Sequence, residues 1–222
     1  MKSLSSNKIT KIFNILDEKY SSFEWWLDCT PFEIIIGAIL VQNTTWRNAE
    51  TALNNIKYQD LAKPEKLINT YKGSIIELIK PSGFYNLKLK RILNFLSFFQ
   101  EAYLFSFENM KKQDLPTLRK ELLNVNGIGA ETADVILLYA LDKLTFCIDN
   151  YTKRLFSRLG YIRQNIKYGD LKNIFEDHVK NDILIYKQFH KYIDFHSHYV
   201  CRKEPDCAVC SLNNICDFNL VN

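Results

Sequence analysis

Gly127 and Gly129, separated by a single residue, form a turn between two helical segments in the stretch from Leu122 to Asp149. This glycine turn restricts the possible fold more than any other feature of the sequence. Residues with helical spacing precede Asn126, and an apolar helical run continues from Ala130 to Leu141. Glycine accepts positive φ and lets another backbone approach closely, and the N–H groups that open the second helix have no partner within it. The turn is therefore predicted to be either an ordinary helix–helix connection or a grip for a phosphate.

Helical periodicity also dominates the rest of the chain. A first helix is expected to end near Tyr20, a short one after Asp149 to end at Gly160, and two more to cover 168–180 and 182–199. Only 7 glycines and 5 prolines leave little material for an all-β fold, and no convincing strand pair is visible. The sequence predicts an all-α protein of about ten helices, with three prolines in first turns. These are Pro31, Pro64 and Pro116.

Composition and charge narrow the function only slightly. The 222 residues carry a formal charge of +4, from 29 basic and 25 acidic side chains, which permits a nucleic-acid partner without indicating one. The first residues lack the apolar core of a secretory signal, and the apolar run from Ile34 to Val41 is too short to span a bilayer. We therefore expect no membrane association.

Four of the six cysteines crowd the C-terminal segment, with the spacing Cys-x5-Cys-x2-Cys-x5-Cys. Structural zinc usually takes two Cys-x2-Cys pairs, whereas this loop has one, so the loop is expected to surround something larger than a single ion. Four thiolates suit a [4Fe–4S] cluster, and zinc is the alternative. The predicted ligands are Cys201, Cys207, Cys210 and Cys216.

The glycine turn, Asp149 and the cysteine loop follow one another in this order along the chain. In this order they make the chain resemble, over nearly its whole length, the helix-hairpin-helix DNA glycosylases of the endonuclease III superfamily. Within that superfamily the likeness is greatest to the 3-methyladenine DNA glycosylase III branch, some members of which lack the cysteine cluster. The segments that carry the resemblance are Glu24–Trp26, Phe32–Thr44 with Trp46, Lys80–Asn86, Leu123–Asp134 and Ile148–Asp149.

The resemblance implies two helical lobes with duplex DNA across the cleft between them. One lobe, residues 31–145, would be a helical barrel that carries the hairpin. The other would join residues 1–30 to 146–222 and end in the cysteine cluster. A damaged nucleotide would be flipped out of the duplex into a pocket between the lobes.

The resemblance also assigns the chemistry. Asp149 matches the catalytic aspartate of the family, where a carboxylate stabilises the sugar cation and orients water, although an Asp before a helix is also a common N-cap. Members with lyase activity carry a lysine in the second hairpin helix, and this chain has Glu131 there. A carboxylate cannot form a Schiff base, so a monofunctional glycosylase is expected. Compensation of the helix dipole is the plainer interpretation of Glu131.

Three tryptophans indicate the substrate. An alkylated purine carries a delocalised positive charge, and tryptophan offers the best aromatic face for a cation. By resemblance Trp46 would stack on the flipped base while Trp25 and Trp26 line the opposite wall, whereas a purely structural role in the core is the alternative. This combination predicts removal of 3-methyladenine-type bases.

Further side chains are expected on the DNA. Gln42 matches the family position that fills the gap left by the flipped base, with an ordinary structural role as the alternative. Three histidines, His190, His196 and His198, are predicted to be structural. The predicted phosphate contacts are Asn126, Gly127, Ile128 and Gly129 of the turn, with Lys153 and Arg154 one helical turn after Asp149.

Two other functions remain open at this point. One is an endonuclease III-type glycosylase for oxidised pyrimidines, and the other is a structure-sensing DNA-binding protein without catalysis. The expected partner is double-stranded DNA with damaged bases. We expect a monomer that is cytoplasmic and nucleoid-associated, of prokaryotic type.

Overall fold

A computed structural model describes residues 2–23 and 29–218. Within these ranges the chain forms twelve α-helices, several single 3₁₀ or π turns and no strand, so the all-α prediction is confirmed. The chain divides into two compact units. We call Asp28–Lys143 the continuous unit, and Met1–Leu27 together with Leu144–Asn222 the discontinuous unit.

Eight α-helices build the continuous unit. Two turns of other types interrupt them, the 3₁₀ turn Lys80–Ser82 and the π-helical turn Ile136–Ala140. The helices are α2 Pro31–Leu40, α3 Trp46–Tyr58, α4 Pro64–Ile68, α5 Lys72–Ile79, α6 Tyr85–Tyr103, α7 Phe107–Lys112, α8 Leu115–Asn124 and α9 Ala130–Val135. Pro31, Pro64 and Pro116 all lie in first turns, as predicted.

The central element of this unit is α2. Thr30 begins it with a capping box, in which the Thr30 hydroxyl accepts the N–H of Glu33 while the Glu33 carboxylate accepts the N–H of Thr30. Every residue from Phe32 to Leu40 is buried, and the helix packs against α3, α6, α9 and the π turn. A helix that is apolar all round belongs in a core, which explains its continuous hydrophobic sequence.

The hairpin departs from its prediction at one end. The apolar run after the glycine turn was expected to be α-helical to Leu141, but α9 ends at Val135 and residues Ile136–Ala140 form a π turn. The N–H of Leu141 accordingly bonds the carbonyl of Ile136, five residues back. The wider turn buries four of its five residues, which a single face of an α-helix would not do.

The discontinuous unit holds the remaining helices. They are α1 Ser6–Tyr20, α10 Asn150–Arg158, α11 Tyr168–His178 and α12 Ile183–Tyr199. Its core is rich in aromatic rings, and Phe175 lies 4.6 Å from Phe146 and 4.7 Å from Phe156 between ring centroids. The longest of these helices, α12, packs against both α1 and α10. This packing places the start of α10 against the middle of α12.

None of the helices within residues 2–23 and 29–218 combines the length and the hydrophobicity that a bilayer crossing requires.

Candidate active site and DNA-contact surface

Asp149 ends an extended segment and begins α10. Its Oδ1 accepts the N–H of Thr152 at 2.6 Å, so the side chain is an N-cap, and only 8% of the residue is exposed. Its other carboxylate oxygen, Oδ2, lies 3.6 Å from Nε2 of His190 on α12. The carboxylate is therefore held from two sides, by the first turn of its own helix and by an imidazole.

The surroundings of Asp149 keep it ionised. Burial by itself would raise the pKa of the carboxyl, but the nearby His190 and the hydrogen bond from Thr152 outweigh it, and the pKa lies below its ordinary value. Tyr151 lies in the same region, and burial, with Asp194 next in effect, raises its pKa. A buried carboxylate that stays charged at neutral pH can stabilise a developing cation.

Gly127 and Gly129 of the glycine turn differ in backbone conformation and in the space around them. Gly127 has φ +101°, and a Cβ there would lie 2.2 Å from Cγ of Arg91, so this glycine is required by both the backbone and the packing. A Cβ on Gly129 would meet nothing within 4 Å. The turn also buries the side chain of Ile128, so only the backbone of that residue is available to a ligand. The open side of the turn is at Gly129 and the first turn of α9.

Gln42 is bonded into this turn. Its amide Nε2 donates to the carbonyl of Gly127 at 3.1 Å and to the hydroxyl of Thr132 at 2.9 Å, while Arg91 donates to its Oε1. The side chain thus ties the end of α2 to the hairpin, which is the structural alternative to inserting into DNA. Asn126 is exposed, and its carbonyl accepts the side-chain N–H of Asn94 at 2.8 Å.

The cations of α10 contact the cysteine loop. Arg154 donates to the carbonyls of Cys201 at 2.9 Å and Ser197 at 2.7 Å, and its guanidinium stacks on Tyr151. Much of the guanidinium is therefore already bonded, and a phosphate would compete with these carbonyls. Lys153, its neighbour, is half-buried. One turn later Arg158 donates to the carbonyls and the Sγ of the same loop, an anchor that sequence reasoning did not identify.

All four predicted ligand cysteines line one pocket beside α10. Burial raises the pKa of the Cys210 thiol, and Cys201, Cys216 and Cys207 raise it further, whereas the N–H of Leu212 lowers it. Among the described residues no group of three or more His, Cys, Asp or Glu side chains is arranged to hold a metal ion. The loop therefore gathers four thiols around one space without forming a compact single-ion site.

His196 joins this loop to α1. Burial, with Lys19 as the lesser cause, lowers the pKa of His196 to about 4, so the ring is neutral at pH 7. Its Nδ1 lies 3.0 Å from the hydroxyl of Tyr20 and its Nε2 lies 3.4 Å from Sγ of Cys210. These contacts agree with the structural role expected for this histidine.

Of the three tryptophans, only Trp46 belongs to the residues that the structure describes. Trp46 is half-buried and is the first residue of α3, just after its N-cap Thr45. Trp25 and Trp26 lie outside the described residues, so the predicted opposite wall of a base pocket stays a prediction. Glu131 is exposed in the first turn of α9, a position that suits dipole compensation.

The sequence did not single out two residues that the structure draws attention to, His190 and Phe84. His190 was grouped with the structural histidines, yet it is the residue beside the Asp149 carboxylate, and no spacing signal links positions so far apart in the chain. Phe84 is 67% exposed with φ 45°, on the turn before α6. A non-glycine residue in the left-handed region next to Gly83 is a signal that only the backbone reveals.

Comparisons with known proteins place these features in a family. A family model described as HhH-GPD superfamily base excision DNA repair protein matches residues 36–181. A protein of Methanocaldococcus jannaschii, described as a candidate DNA repair glycosylase, is 46% identical over 97% of this chain and 99% of its own length. Endonuclease III of Sulfolobus acidocaldarius is 28% identical, covering 86% of this chain and 83% of that protein.

Solved structures agree. The 3-methyladenine DNA glycosylase MagIII of H. pylori, bound to 1,N6-ethenoadenine, superposes with a TM-score of 0.75 at 30% identity, covering 87% of this chain and 97% of that one. A non-covalent endonuclease III–DNA complex superposes with a TM-score of 0.81 over 98% of both chains. At 19% identity the second likeness shows the fold alone.

Proposed function

This chain belongs to the HhH-GPD superfamily of base excision DNA repair proteins, and on that premise we propose that it is a monofunctional DNA glycosylase that removes alkylated purines such as 3-methyladenine from duplex DNA. The observation that carries the proposal is Asp149, a buried carboxylate kept ionised at the start of α10. The 30% identity to a 3-methyladenine DNA glycosylase supports the choice of substrate.

The reaction breaks the bond between C1′ of the sugar and the purine nitrogen. The C–N electron pair leaves with the base, so an alkylated purine that carried a positive charge departs neutral and requires little general-acid assistance. The Asp149 carboxylate stabilises the oxocarbenium-like sugar, and a water supplies the new C1′–O bond while its proton passes to the carboxylate or to solvent. Hydrolysis of this kind needs no covalent enzyme intermediate.

The position of Glu131 supports the monofunctional assignment. A bifunctional enzyme forms a Schiff base through an amine, and the family position for that amine carries a carboxylate here. Borohydride trapping of the protein on damaged DNA should therefore give no covalent adduct. An adduct would contradict this part of the proposal.

Contacts with the duplex in addition to those predicted for Lys153 and Arg154 would come from the continuous unit. The open space beside Gly129 suits a phosphate, and the exposed Phe84 suits insertion between base pairs. Lys88 supports the turn before Phe84, because its buried ammonium donates to the carbonyls of Leu40 at 2.7 Å and Ser82 at 2.5 Å. Trp46 would stack on the flipped cationic base.

The four cysteines Cys201, Cys207, Cys210 and Cys216 would hold a [4Fe–4S] cluster. Their thiols share one pocket, and burial together with the other three cysteines raises the pKa of the Cys210 thiol, so a positively charged group bound there would favour its thiolate. The presence of a single Cys-x2-Cys pair in this loop supports a cluster over zinc. When bound, the cluster would cross-link the loop that Arg154 and Arg158 anchor to α10.

The decisive experiment offers matched duplexes that contain 3-methyladenine, thymine glycol or uracil to the wild type, to Asp149→Asn and to the control Asp170→Asn. Asp170 is an exposed carboxylate on α11, so its substitution tests the loss of a charge elsewhere. We expect release of 3-methyladenine by wild type and control, and a loss of roughly a hundredfold or more in Asp149→Asn. Release of thymine glycol instead would favour the endonuclease III-type activity, and binding without release would favour a non-catalytic protein.

Trp46→Ala tests the base pocket, with the exposed Tyr58→Ala on the same helix as its control. We expect Trp46→Ala alone to lose excision while its helical content is retained. Excision at the wild-type rate would remove Trp46 from the pocket.

A further inference from the structure

The segment that leads to Asp149, residues 145–148, has no regular secondary structure. Thr145, Phe146 and Ile148 are fully buried and belong to no helix, so their backbone groups have no helical partners. Buried backbone N–H and C=O groups must be bonded to something, because leaving them unpaired is costly. Side chains of α11 provide partners for several of them.

Tyr168, Lys172 and Glu176 recur every four residues and therefore form one stripe along α11, which we call the polar stripe. The Glu176 carboxylate accepts the N–H of Phe146 at 2.8 Å. The hydroxyl of Tyr168 accepts the N–H of Ile148 at 3.4 Å. The stripe thus accepts the N–H groups of two alternate residues of the segment.

Lys172 adds further bonds at the Phe146 end of this arrangement. Its ammonium donates to the hydroxyl of Thr145, to the Glu176 carboxylate and, at 3.3 Å, to the carbonyl of Phe146. The side chain of Lys172 is 11% exposed, so its ammonium has little contact with water and bonds these partners instead. Lys172 and Glu176 together satisfy both backbone groups of Phe146.

The bonds of the polar stripe order the segment and α11 in opposite directions, because Glu176 bonds Phe146 while Tyr168 bonds Ile148.

We infer that the polar stripe is a set of positioning residues that fixes the register of the segment and thereby presents Asp149 to the substrate. The inference rests on the proposed function, in which Asp149 is the catalytic carboxylate. Asp149 follows Ile148 directly, so the hydroxyl of Tyr168 anchors the residue next to it. The N-cap bond to Thr152 fixes the carboxylate relative to α10, while the stripe fixes the chain that enters it.

The test compares single-turnover excision with affinity for the same duplexes in two variants. Tyr168→Phe removes only a hydroxyl, and the double variant Lys172→Met/Glu176→Leu removes both members of the buried ion pair together, so that no charge is left unpaired. We expect excision to fall roughly threefold to tenfold in the first and up to about a hundredfold in the second. The dissociation constant for duplex DNA should change less than about twofold.

Two control variants separate positioning from general stability. Glu176→Gln keeps an oxygen that can accept the N–H of Phe146 but removes the charge that faces Lys172, so it should lose less activity than the double variant, and Asn173→Ala, on the exposed side of α11, should match the wild type. Hydrogen exchange should show faster exchange at Phe146 and Ile148 in the double variant. Wild-type excision rates and unchanged exchange in both variants would overturn the inference, as would equal losses of excision and DNA binding.

The same measurements keep this inference separate from the proposed function. If the wild type releases no base from any duplex, the proposed function fails, while exchange at Phe146 and Ile148 still reports whether the stripe holds the segment. If the wild type is active and the variants match it, only the positioning role fails.

Discussion

Asp149 Oδ2 lies 3.6 Å from Nε2 of His190, and both side chains are almost entirely buried. His190 belongs to α12 and Asp149 begins α10, so the packing of these two helices sets the ionisation of the carboxylate. Without the imidazole one of the two groups that lower the pKa of Asp149 would be lost, so the pKa would be higher than in the wild type.

His190→Gln should therefore shift the acid side of the pH–rate profile to higher pH. In the wild type the pKa of Asp149 is depressed, so the ionised form persists, and activity is lost only as the pH falls through that low value. In the variant the pKa rises, and activity falls earlier on acidification. Excision rates from about pH 4 to about pH 8 would measure the shift. His198→Gln, another α12 histidine, is the control, and identical midpoints for His190→Gln and wild type would contradict the prediction.

The two glycines of the hairpin should respond differently to alanine. Gly127→Ala forces a side chain into positive φ and against Arg91, so we expect the free energy of unfolding to fall by about 1–3 kcal/mol. Gly129→Ala has open space and should leave the free energy of unfolding nearly unchanged, while it weakens DNA binding roughly two- to fivefold by obstructing the phosphate site. Urea denaturation and DNA titration would measure both. Equal destabilisation by the two substitutions would show that Gly129 is also required by packing.

Loss of the Arg158 anchor should make the cysteine loop labile. Arg158 donates to carbonyls of Cys201, Arg202 and Lys203, so Arg158→Met frees the loop at three points. Visible absorption, which distinguishes an iron–sulfur cluster from zinc, should bleach faster on exposure to oxygen or chelator than in the wild type or in the exposed control Arg163→Met. A colourless wild-type protein that contains zinc would refute the cluster assignment.

Lys88 should make stability depend on alkaline pH. Burial, with the nearby Arg91 second, lowers the pKa of Lys88 from 10.5 to about 8. Between these two values the native state binds fewer protons than the unfolded chain, so the contribution of Lys88 to the free energy of unfolding rises with pH. Lys88→Met should lack this rise, and the exposed control Lys90→Met should retain it. Denaturation at about pH 8 and about pH 10 would decide the matter, and parallel curves for wild type and Lys88→Met would contradict the assignment.

The sequence by itself determined the features that depend on neighbouring residues. First-turn prolines and helical periodicity marked where helices begin and which face they bury. The glycine turn, Asp149 and the cysteine loop identified the family, because motifs with a fixed spacing can be recognised in the sequence without knowledge of the fold. The π turn at Ile136–Ala140 was not predicted, because its apolar residues also fit an α-helix.

Only the tertiary structure decided which distant groups meet. It placed His190 beside Asp149, put the Arg91 side chain against Gly127, bonded Gln42 into the hairpin, and paired the polar stripe of α11 with the segment before Asp149. The physical reason is that the pKa of a buried group and the satisfaction of a buried amide depend on whatever lies within a few ångströms in space. Residues in such contact can be far apart in the chain, where no periodicity or spacing connects them.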